Sequence, residues 1–107
     1  MYIKNGASIA GLRSELLAAA ITIIEPIYHD HLVNLVITSG TEKYKHKAKR
    51  SAHYRGDAID TRSRDIEEPI RKIVAAELQH GLGQHYIVIL ESNHFHIEYS
   101  PIYEESP

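Results

Sequence analysis

Apolar residues recur at helical spacing near the N-terminus. From about Ser8 to Glu25, an apolar side chain returns every three or four positions. These apolar positions are Ile9, Leu12, Leu16, Ala20, Ile23 and Ile27. The spacing predicts an α-helix with one apolar face. Pro26 is predicted to end or kink this helix, because proline lacks a backbone N–H and crowds the preceding turn.

Shorter apolar segments farther along the chain have the pattern of β-strands. They are rich in β-branched and aromatic residues and lie between polar or glycine-containing stretches, as strands commonly do. The predicted strands are Leu32 to Thr38, Asp57 to Thr61, Tyr86 to Leu90 and Phe95 to Tyr99. The last two are predicted to form a hairpin, because a short polar segment around Ser92-Asn93 separates them.

A second helix is predicted between the second and third of these strands. Ser63 or Asp65 would cap its N-terminus, and Gly81 lies near its C-terminus. Its apolar face contains Ile66, Ile70, Ile73, Val74 and Leu78. Pro69 is compatible with this helix only in the first turn, where a backbone N–H has no helical partner.

The order of elements is therefore helix, strand, loop, strand, helix and hairpin, with a lysine-rich polar loop between Gly40 and Ser51. This order predicts the α+β class, with helices packed on a small, mostly antiparallel sheet. The length of 107 residues predicts a single domain, residues 1–107. No apolar run approaches the ~20 residues that a membrane span needs, so no membrane association is expected.

Composition narrows the candidate partners and chemistry. The net charge of −2 lacks the basic footprint of a protein that binds nucleic acid, so no nucleic-acid partner is expected. The N-terminal segment lacks a compact apolar stretch with a cleavage site, which predicts no signal peptide and a protein made in the cytoplasm. The chain has eight histidines but one methionine and no cysteine. Because histidine binds metals and transfers protons near neutral pH, the histidine positions indicate the function.

The histidines of interest lie in two segments that also carry carboxylates. Alternate side chains of a strand share a face, so His94, His96 and Glu98 are predicted to point the same way. His53 precedes the short strand that carries Asp60. Two imidazoles and one carboxylate suit zinc and leave a fourth position for water. Taken singly, a strand histidine is more often a surface residue, and an aspartate at a strand end is more often a turn former.

Two motifs in combination are far more specific than their parts. The pattern SxHxxGxAxD occurs as SAHYRGDAID from Ser51, and a carboxylate followed by histidines occurs as ESNHFHIEY from Glu91. In these motifs the chain resembles zinc peptidases of the hedgehog/D-Ala-D-Ala-peptidase superfamily, the M15 peptidase family, and small phage-type members in particular. The resemblance covers about Val36 to Pro101 and implies a hedgehog/DD-peptidase-like fold.

The resemblance implies a zinc site. His53 and Asp60 match the first two zinc ligands of the family, and His96 is the preferred third ligand. His94 is the alternative third ligand, because some branches place the ligand three residues after the carboxylate that corresponds to Glu91. A site of this composition also accepts cobalt or manganese in vitro.

The resemblance also implies catalytic roles. Glu91 matches the general base that takes a proton from the attacking water and returns it to the leaving amine. His94 would lie beside the metal and hydrogen-bond the oxyanion or shuttle a proton. His46, in the lysine-rich loop, resembles a loop histidine near the metal of hedgehog-like members, and the alternative is a solvated loop residue.

The implied activity is zinc-dependent hydrolysis of amide bonds in peptidoglycan stem peptides that contain D-amino acids. A minimal phage or bacterial lytic enzyme of this kind would act on the cell wall after release, as either a carboxypeptidase or an endopeptidase. Many members carry an aromatic residue and a carboxylate-binding arginine after the Ser-Gly turn, where this chain has Thr41-Glu42. The replacement cation would be Lys43, Arg50, Arg55 or Arg62.

Two other interpretations fit parts of the sequence. A non-catalytic zinc-containing module, for binding or for a virion, would use the same ligands on the same scaffold. Glu91 favours the enzyme, because a purely structural zinc site has no need of that carboxylate. A plain α+β domain with chance histidines would bind no stoichiometric zinc.

Overall fold

The computed structural model of the chain describes residues 1–42 and 51–102. His46, Lys43 and Arg50, which the sequence analysis considered for catalysis or substrate binding, lie outside the described residues. All other candidate site residues lie within them.

The first helical region consists of three consecutive segments. They are helix α1 (Ser14–Ala19), a π-helical segment (Ala20–Ile24) and helix α2 (Glu25–Asp30). The helix begins later than the predicted Ser8, because Gly11 has φ +76° and interrupts helical geometry. Pro26 was predicted to end or kink the helix. It does not end it, because helical structure continues through Pro26 to Asp30. Pro26 lies in the first turn of α2, directly after the π-helical segment, and such segments accommodate irregular sites within helices.

Helix α3 (Glu68–Leu82) confirms the presence of the second predicted helix, but the prediction that Ser63 or Asp65 caps it was wrong, because the N-cap residue is Glu67. Pro69 lies in its first turn, as its presence required. Gly83 follows the helix with φ +87°, a conformation that suits glycine, and ends it two residues after the predicted Gly81. Val74, Leu78 and Leu82 are the buried side chains of its apolar face. Of the residues predicted for this face, Ile66 is buried but precedes the helix, and Ile73 is exposed.

The described residues contain one five-stranded sheet in the order β1-β2-β3-β5-β4. Its strands are β1 (Tyr2–Ile3), β2 (Val36–Ser39), β3 (Ala58–Arg62), β4 (Tyr86–Leu90) and β5 (His94–Tyr99). The β1–β2 pairing is parallel and the other three pairings are antiparallel. The predicted α+β class with a mostly antiparallel sheet is thus confirmed, whereas β1 had no counterpart in the sequence prediction.

The two faces of the sheet have different roles. Alternate strand residues on one face are fully buried in a core shared with the helices. The fully buried strand residues on this face are Ile37, Ile59, Thr61, Phe95 and Ile97. Ala58, at the start of β3, is buried as well but shares the alternation of Asp60. The opposite face, called the open face below, carries partly exposed polar side chains at the intervening positions. They are Thr38, Asp60, Arg62, His94, His96 and Glu98.

Among the helices of the described residues, none is both long enough and apolar enough to cross a membrane.

Candidate metal centre

A compact turn positions His53 just before β3. The Ala52 carbonyl accepts hydrogen bonds from the backbone N–H groups of Arg55 and Asp57, at 3.2 and 2.9 Å. Gly56 in this turn has φ +79°, and a Cβ there would collide with the carbonyl oxygen of Gly11. The glycine of the SxHxxGxAxD motif is therefore a steric requirement, and the turn leaves His53 only 5% exposed.

Strand pairing places Asp60 beside His96. The two residues are direct partners in the β3–β5 register, so both side chains project from the open face. His96 Nδ1 lies 3.1 Å from Asp60 Oδ1, and His53 Nε2 lies 3.4 Å from the same oxygen. One potential ligand atom from each of the three residues lies within 4.8 Å of the other two. The structure thus brings His53, Asp60 and His96 together as a group, called the His-Asp-His group below.

Both imidazoles of the His-Asp-His group are held at the ring nitrogen remote from Asp60. His53 Nδ1 donates a hydrogen bond to the Gly40 carbonyl oxygen at 2.9 Å. His96 Nε2 donates to Glu98 Oε1 at 3.1 Å. When either ring is neutral with its proton on this outer nitrogen, the lone pair of His53 Nε2 or His96 Nδ1 points toward Asp60 Oδ1. Oriented tautomers of this kind are usual for histidines that bind a metal.

Hydrogen bonding also changes the pKa values within the group. Burial alone would raise the pKa of Asp60, but hydrogen bonds that His53 and His96 donate when they are protonated hold this pKa below its usual range. The hydrogen bond to Asp60 raises the pKa of His96, burial opposes that rise, and Glu98 adds to it. Asp60 is therefore ionised at neutral pH, and protons compete with a cation for His96.

Two imidazoles and one ionised carboxylate fit a zinc ion by their chemistry. Nitrogen and carboxylate donors are its usual protein ligands besides cysteine, and three protein ligands leave one position for a water or substrate. Glu98 and the Gly40 carbonyl supply the outer contacts that hold ligand histidines in place. The side chains present thus match the predicted zinc site in type and grouping.

His94 lies beside the His-Asp-His group and outside it. Its Nε2 atom lies 3.8 Å from Asp60 Oδ2, and its Nδ1 atom contacts Asn93 Oδ1 at 2.6 Å. In the strand register it pairs with Arg62, whereas His96 pairs with Asp60. Of the two alternative third ligands, the structure therefore brings His96 into the group.

Glu91, the predicted general base, lies in the turn between β4 and β5. Its backbone N–H donates to the His94 carbonyl at 2.9 Å, so Glu91 extends the pairing of β4 with β5 by one position and is the cross-strand neighbour of His94. Its side chain is exposed and forms no hydrogen bond or ion pair with any residue in the described parts of the chain. Its assignment as general base stays a prediction.

Glu42 is a site-related residue whose role the sequence did not indicate. Its carboxylate accepts hydrogen bonds from the Gly40 and Ser8 N–H groups, at 2.7 and 3.0 Å, and from the Ser39 hydroxyl. Burial opposes ionisation, but these hydrogen bonds lower the pKa of Glu42 to about 2. The residue thereby fixes the backbone segment whose Gly40 carbonyl orients His53.

The two outer contacts of the histidines differ in how well a sequence can indicate them. Glu98 shares the strand periodicity of His94 and His96, and the sequence analysis put it on the same face. The Gly40 carbonyl has no side-chain signature, so only the fold reveals its contact with His53.

Comparison with known proteins gives no match: no family model, no curated protein and no solved structure matches this chain.

Proposed function

We propose that this protein is a zinc-dependent peptidase that hydrolyses amide bonds in peptidoglycan stem peptides containing D-amino acids. The observation that carries the proposal is the His-Asp-His group, in which both imidazoles turn oriented nitrogens toward one carboxylate oxygen. The motif pattern around Ser51 and Glu91 supplies the peptidase class and the hedgehog/DD-peptidase-like relationship. The site of action would be the bacterial cell wall.

Each residue of the proposed site has a distinct task. His53, Asp60 and His96 would hold the cation, and zinc when bound would polarise the substrate carbonyl and acidify a water. Glu91 would accept a proton from the attacking water at its carboxylate and deliver it to the leaving amine. His94, 3.8 Å from Asp60, is near enough to the group to hydrogen-bond the developing oxyanion.

A zinc-containing binding module is the second candidate function. The observation that favours it is the exposed Glu91 carboxylate, which within residues 1–42 and 51–102 forms no hydrogen bond or ion pair with the His-Asp-His group. The two candidates share their metal ligands and differ only in whether Glu91 moves a proton.

Hydrolysis of purified peptidoglycan by the zinc-loaded protein separates the two candidates. We expect new amino groups to be released, and Glu91→Gln to reduce the rate by about 100-fold or more, the usual contribution of a general base. Glu67→Gln is the matched control, because Glu67 is exposed and its side chain caps no helix N–H. Mass spectrometry of the products distinguishes a carboxypeptidase from an endopeptidase.

The result against the enzyme would be a wild-type rate no greater than that of Glu91→Gln. If stoichiometric zinc were bound in that case, the binding module would be the better interpretation. If no zinc were bound, both candidates would fail.

A further inference from the structure

The sheet of the described residues ends at β4 on one side and at β1 on the other. β1 has two residues, whereas β4 has five, so β4 is the longer of the two edge strands. The sequence of β4 is YIVIL, which contains neither a charged residue nor a proline. Edge strands of this composition pair readily with the edge of another chain, and natural proteins usually protect them.

Strand pairing shows which backbone groups of β4 face outward. The Glu91 N–H donates to the His94 carbonyl, so these two residues form a hydrogen-bonded pair at the end of the β4–β5 ladder. In an antiparallel ladder such pairs alternate with pairs whose backbone groups point away from each other. Every second residue of β4 therefore directs its backbone groups to the outer edge. These residues are Tyr86, Val88 and Leu90.

The side chain of Gln79, on α3, binds two of these outward groups. Its Nε2 atom donates to the Tyr86 carbonyl oxygen at 2.7 Å, and its Oε1 atom accepts a hydrogen bond from the Val88 N–H at 3.0 Å. The Nε2 atom also donates to the Gly83 carbonyl oxygen, at 3.1 Å, in the connection between α3 and β4. The amide of Gln79 thus occupies backbone groups that a further strand would use for pairing.

A second copy of β4 is a suitable partner for this edge. Antiparallel pairing centred on Val88 would place Ile87 of one copy opposite Ile89 of the other. These two side chains are 42% and 44% exposed, and they lie on the open face because they pair with Glu98 and His96. Pairing of two copies would therefore bury apolar side chains without placing like charges opposite each other.

We propose that Gln79 prevents β4 from pairing with β4 of a second copy of this chain. Because its amide already binds the Tyr86 carbonyl and the Val88 N–H, a second copy can pair along the whole strand only after that amide is displaced. This inference concerns self-association and does not depend on the proposed peptidase function.

Sedimentation velocity of the full-length chain over a range of concentrations tests this role. The variant Gln79→Met keeps an unbranched side chain that suits a helix and removes the amide. We expect the wild type to stay monomeric and Gln79→Met to dimerise, with a weight-average mass that rises toward twice the monomer value. Gln84→Met is the matched control, because Gln84 is exposed and its side chain forms no hydrogen bond with the described residues. It should stay monomeric.

A charge placed at the edge distinguishes strand pairing from other kinds of association. Ile87→Lys, added to Gln79→Met, should restore the monomer, because lysine on an edge strand disfavours pairing. Ile73→Lys, added to Gln79→Met in its place, is the control, because Ile73 is also exposed but lies on α3. It should leave the dimer unchanged.

Hydrogen exchange in the wild type tests the Gln79 contact without any variant. The Val88 and Leu90 N–H groups both face the outer edge, and within the described residues only that of Val88 donates to a side chain. Relative to the rates of unstructured peptides, we expect the Val88 amide to exchange about fivefold more slowly than the Leu90 amide, because a hydrogen bond protects it.

Each of four results would overturn the role of Gln79. The first is a Gln79→Met variant that associates no more than the wild type, and the second is equal association of Gln84→Met. The third is a dimer that persists when Ile87→Lys is added. The fourth is equal protection of the Val88 and Leu90 amides, which remains decisive even if Gln79→Met does not fold.

Discussion

At the scale of single residues, the candidate metal centre depends on the hydrogen bonds that the outer nitrogens of its two histidines make. His53 is held by the Gly40 carbonyl, and His96 by Glu98. Because each outer nitrogen donates to an oxygen, the inner nitrogen of each neutral ring has a lone pair that can bind a cation or a proton. Orientation by these partners reduces the rotational freedom that each ring would lose on binding.

Replacing Glu98 by glutamine tests this orientation. We expect Glu98→Gln to weaken zinc binding by about tenfold, because partners of ligand histidines contribute 10–100-fold to metal affinity. Competition with a chromogenic chelator measures the change, and Asp60→Asn should cause a larger loss because it alters a ligand. Zinc affinity in Glu98→Gln equal to that of the control Glu67→Gln would refute the role of Glu98.

The low pKa of Glu42 predicts how acid changes the free energy of unfolding. Its pKa is about 2 in the folded protein, below the ordinary value of 4.5, so its contribution is fully present above pH ~4.5 and is lost as pH falls toward ~2. Glu42→Gln should lower the free energy of unfolding at pH 7 by about 1–2 kcal/mol, allowing for solvent screening of a partly exposed carboxylate. It should also flatten the decline between pH 4.5 and 2.

Urea unfolding of the wild type and Glu42→Gln across that pH range provides the measurement, with Glu67→Gln as control. Parallel curves for the wild type and Glu42→Gln would show that the Glu42 carboxylate contributes nothing through its ionisation.

At the scale of elements, the backbone at the end of β2 lies in close contact with the N-terminal segment, at Gly40 and Ser8. A Cβ at Gly40 would collide with the Ser8 carbonyl oxygen, to which the Thr41 N–H donates at 2.6 Å. The same segment carries the carbonyl that orients His53. Packing of the N-terminal segment and geometry of the metal centre are therefore coupled through Gly40.

The variant Gly40→Ala tests whether Gly40 couples the N-terminal segment to the candidate metal centre. We expect a loss of about 1–3 kcal/mol of stability from overpacking against rigid backbone, together with weaker zinc binding. Gly81→Ala is the control, because Gly81 lies in helix α3, where alanine is favoured over glycine. The Cβ added at Gly81 would contact a side chain, that of Ile23 at 3.1 Å, and not the backbone. Thermal unfolding that ranks Gly40→Ala as no worse than Gly81→Ala would contradict the coupling.

The elements also show which features a sequence can indicate. Strands β4 and β5 lie within one residue of the bounds that their local pattern predicted. Helix α3 formed as its apolar periodicity predicted, although it begins later than predicted and Ile73 is exposed. β2 begins at Val36 rather than Leu32, because Leu32 is exposed with φ +61° in the turn after α2. β1 is only two residues long and exists through its pairing with β2, which no local pattern encodes.

The site follows the same division. The family resemblance implied His53, Asp60 and His96 as a group, with His94 as the alternative to His96, and strand alternation placed Glu98 on the face of His96. The contacts of the Gly40 carbonyl and of the inward Glu42 carboxylate depend on residues distant in sequence, such as His53 and Ser8. Contacts of that kind follow from topology, so the sequence alone could not indicate them.

At the scale of the whole molecule, the two faces of the sheet carry different groups of residues. The helix-covered face contributes the core, and the open face carries the His-Asp-His group. The ligands come from the turn before β3, from β3 and from β5, so a bound cation would connect three segments. An ion that binds the folded state and not the unfolded state must stabilise the folded protein.

Zinc should therefore raise the thermal stability of the wild type. At a free zinc concentration of about 100 times Kd, the expected stabilisation is about 2.7 kcal/mol. His53→Ala should lose most of this gain, whereas His80→Ala, an exposed position on α3, should retain it. Calorimetry in zinc and in chelator measures the difference, and equal gains in the two variants would place zinc elsewhere.

An anomalous-difference map at the zinc absorption edge, from crystals grown with zinc, tests the shared cation most directly. We expect a single strong peak about 2.0–2.2 Å from His53 Nε2, an Asp60 carboxylate oxygen and His96 Nδ1. Absence of a peak at these three residues, or a peak ligated by His94 in place of His96, would contradict the proposed metal centre.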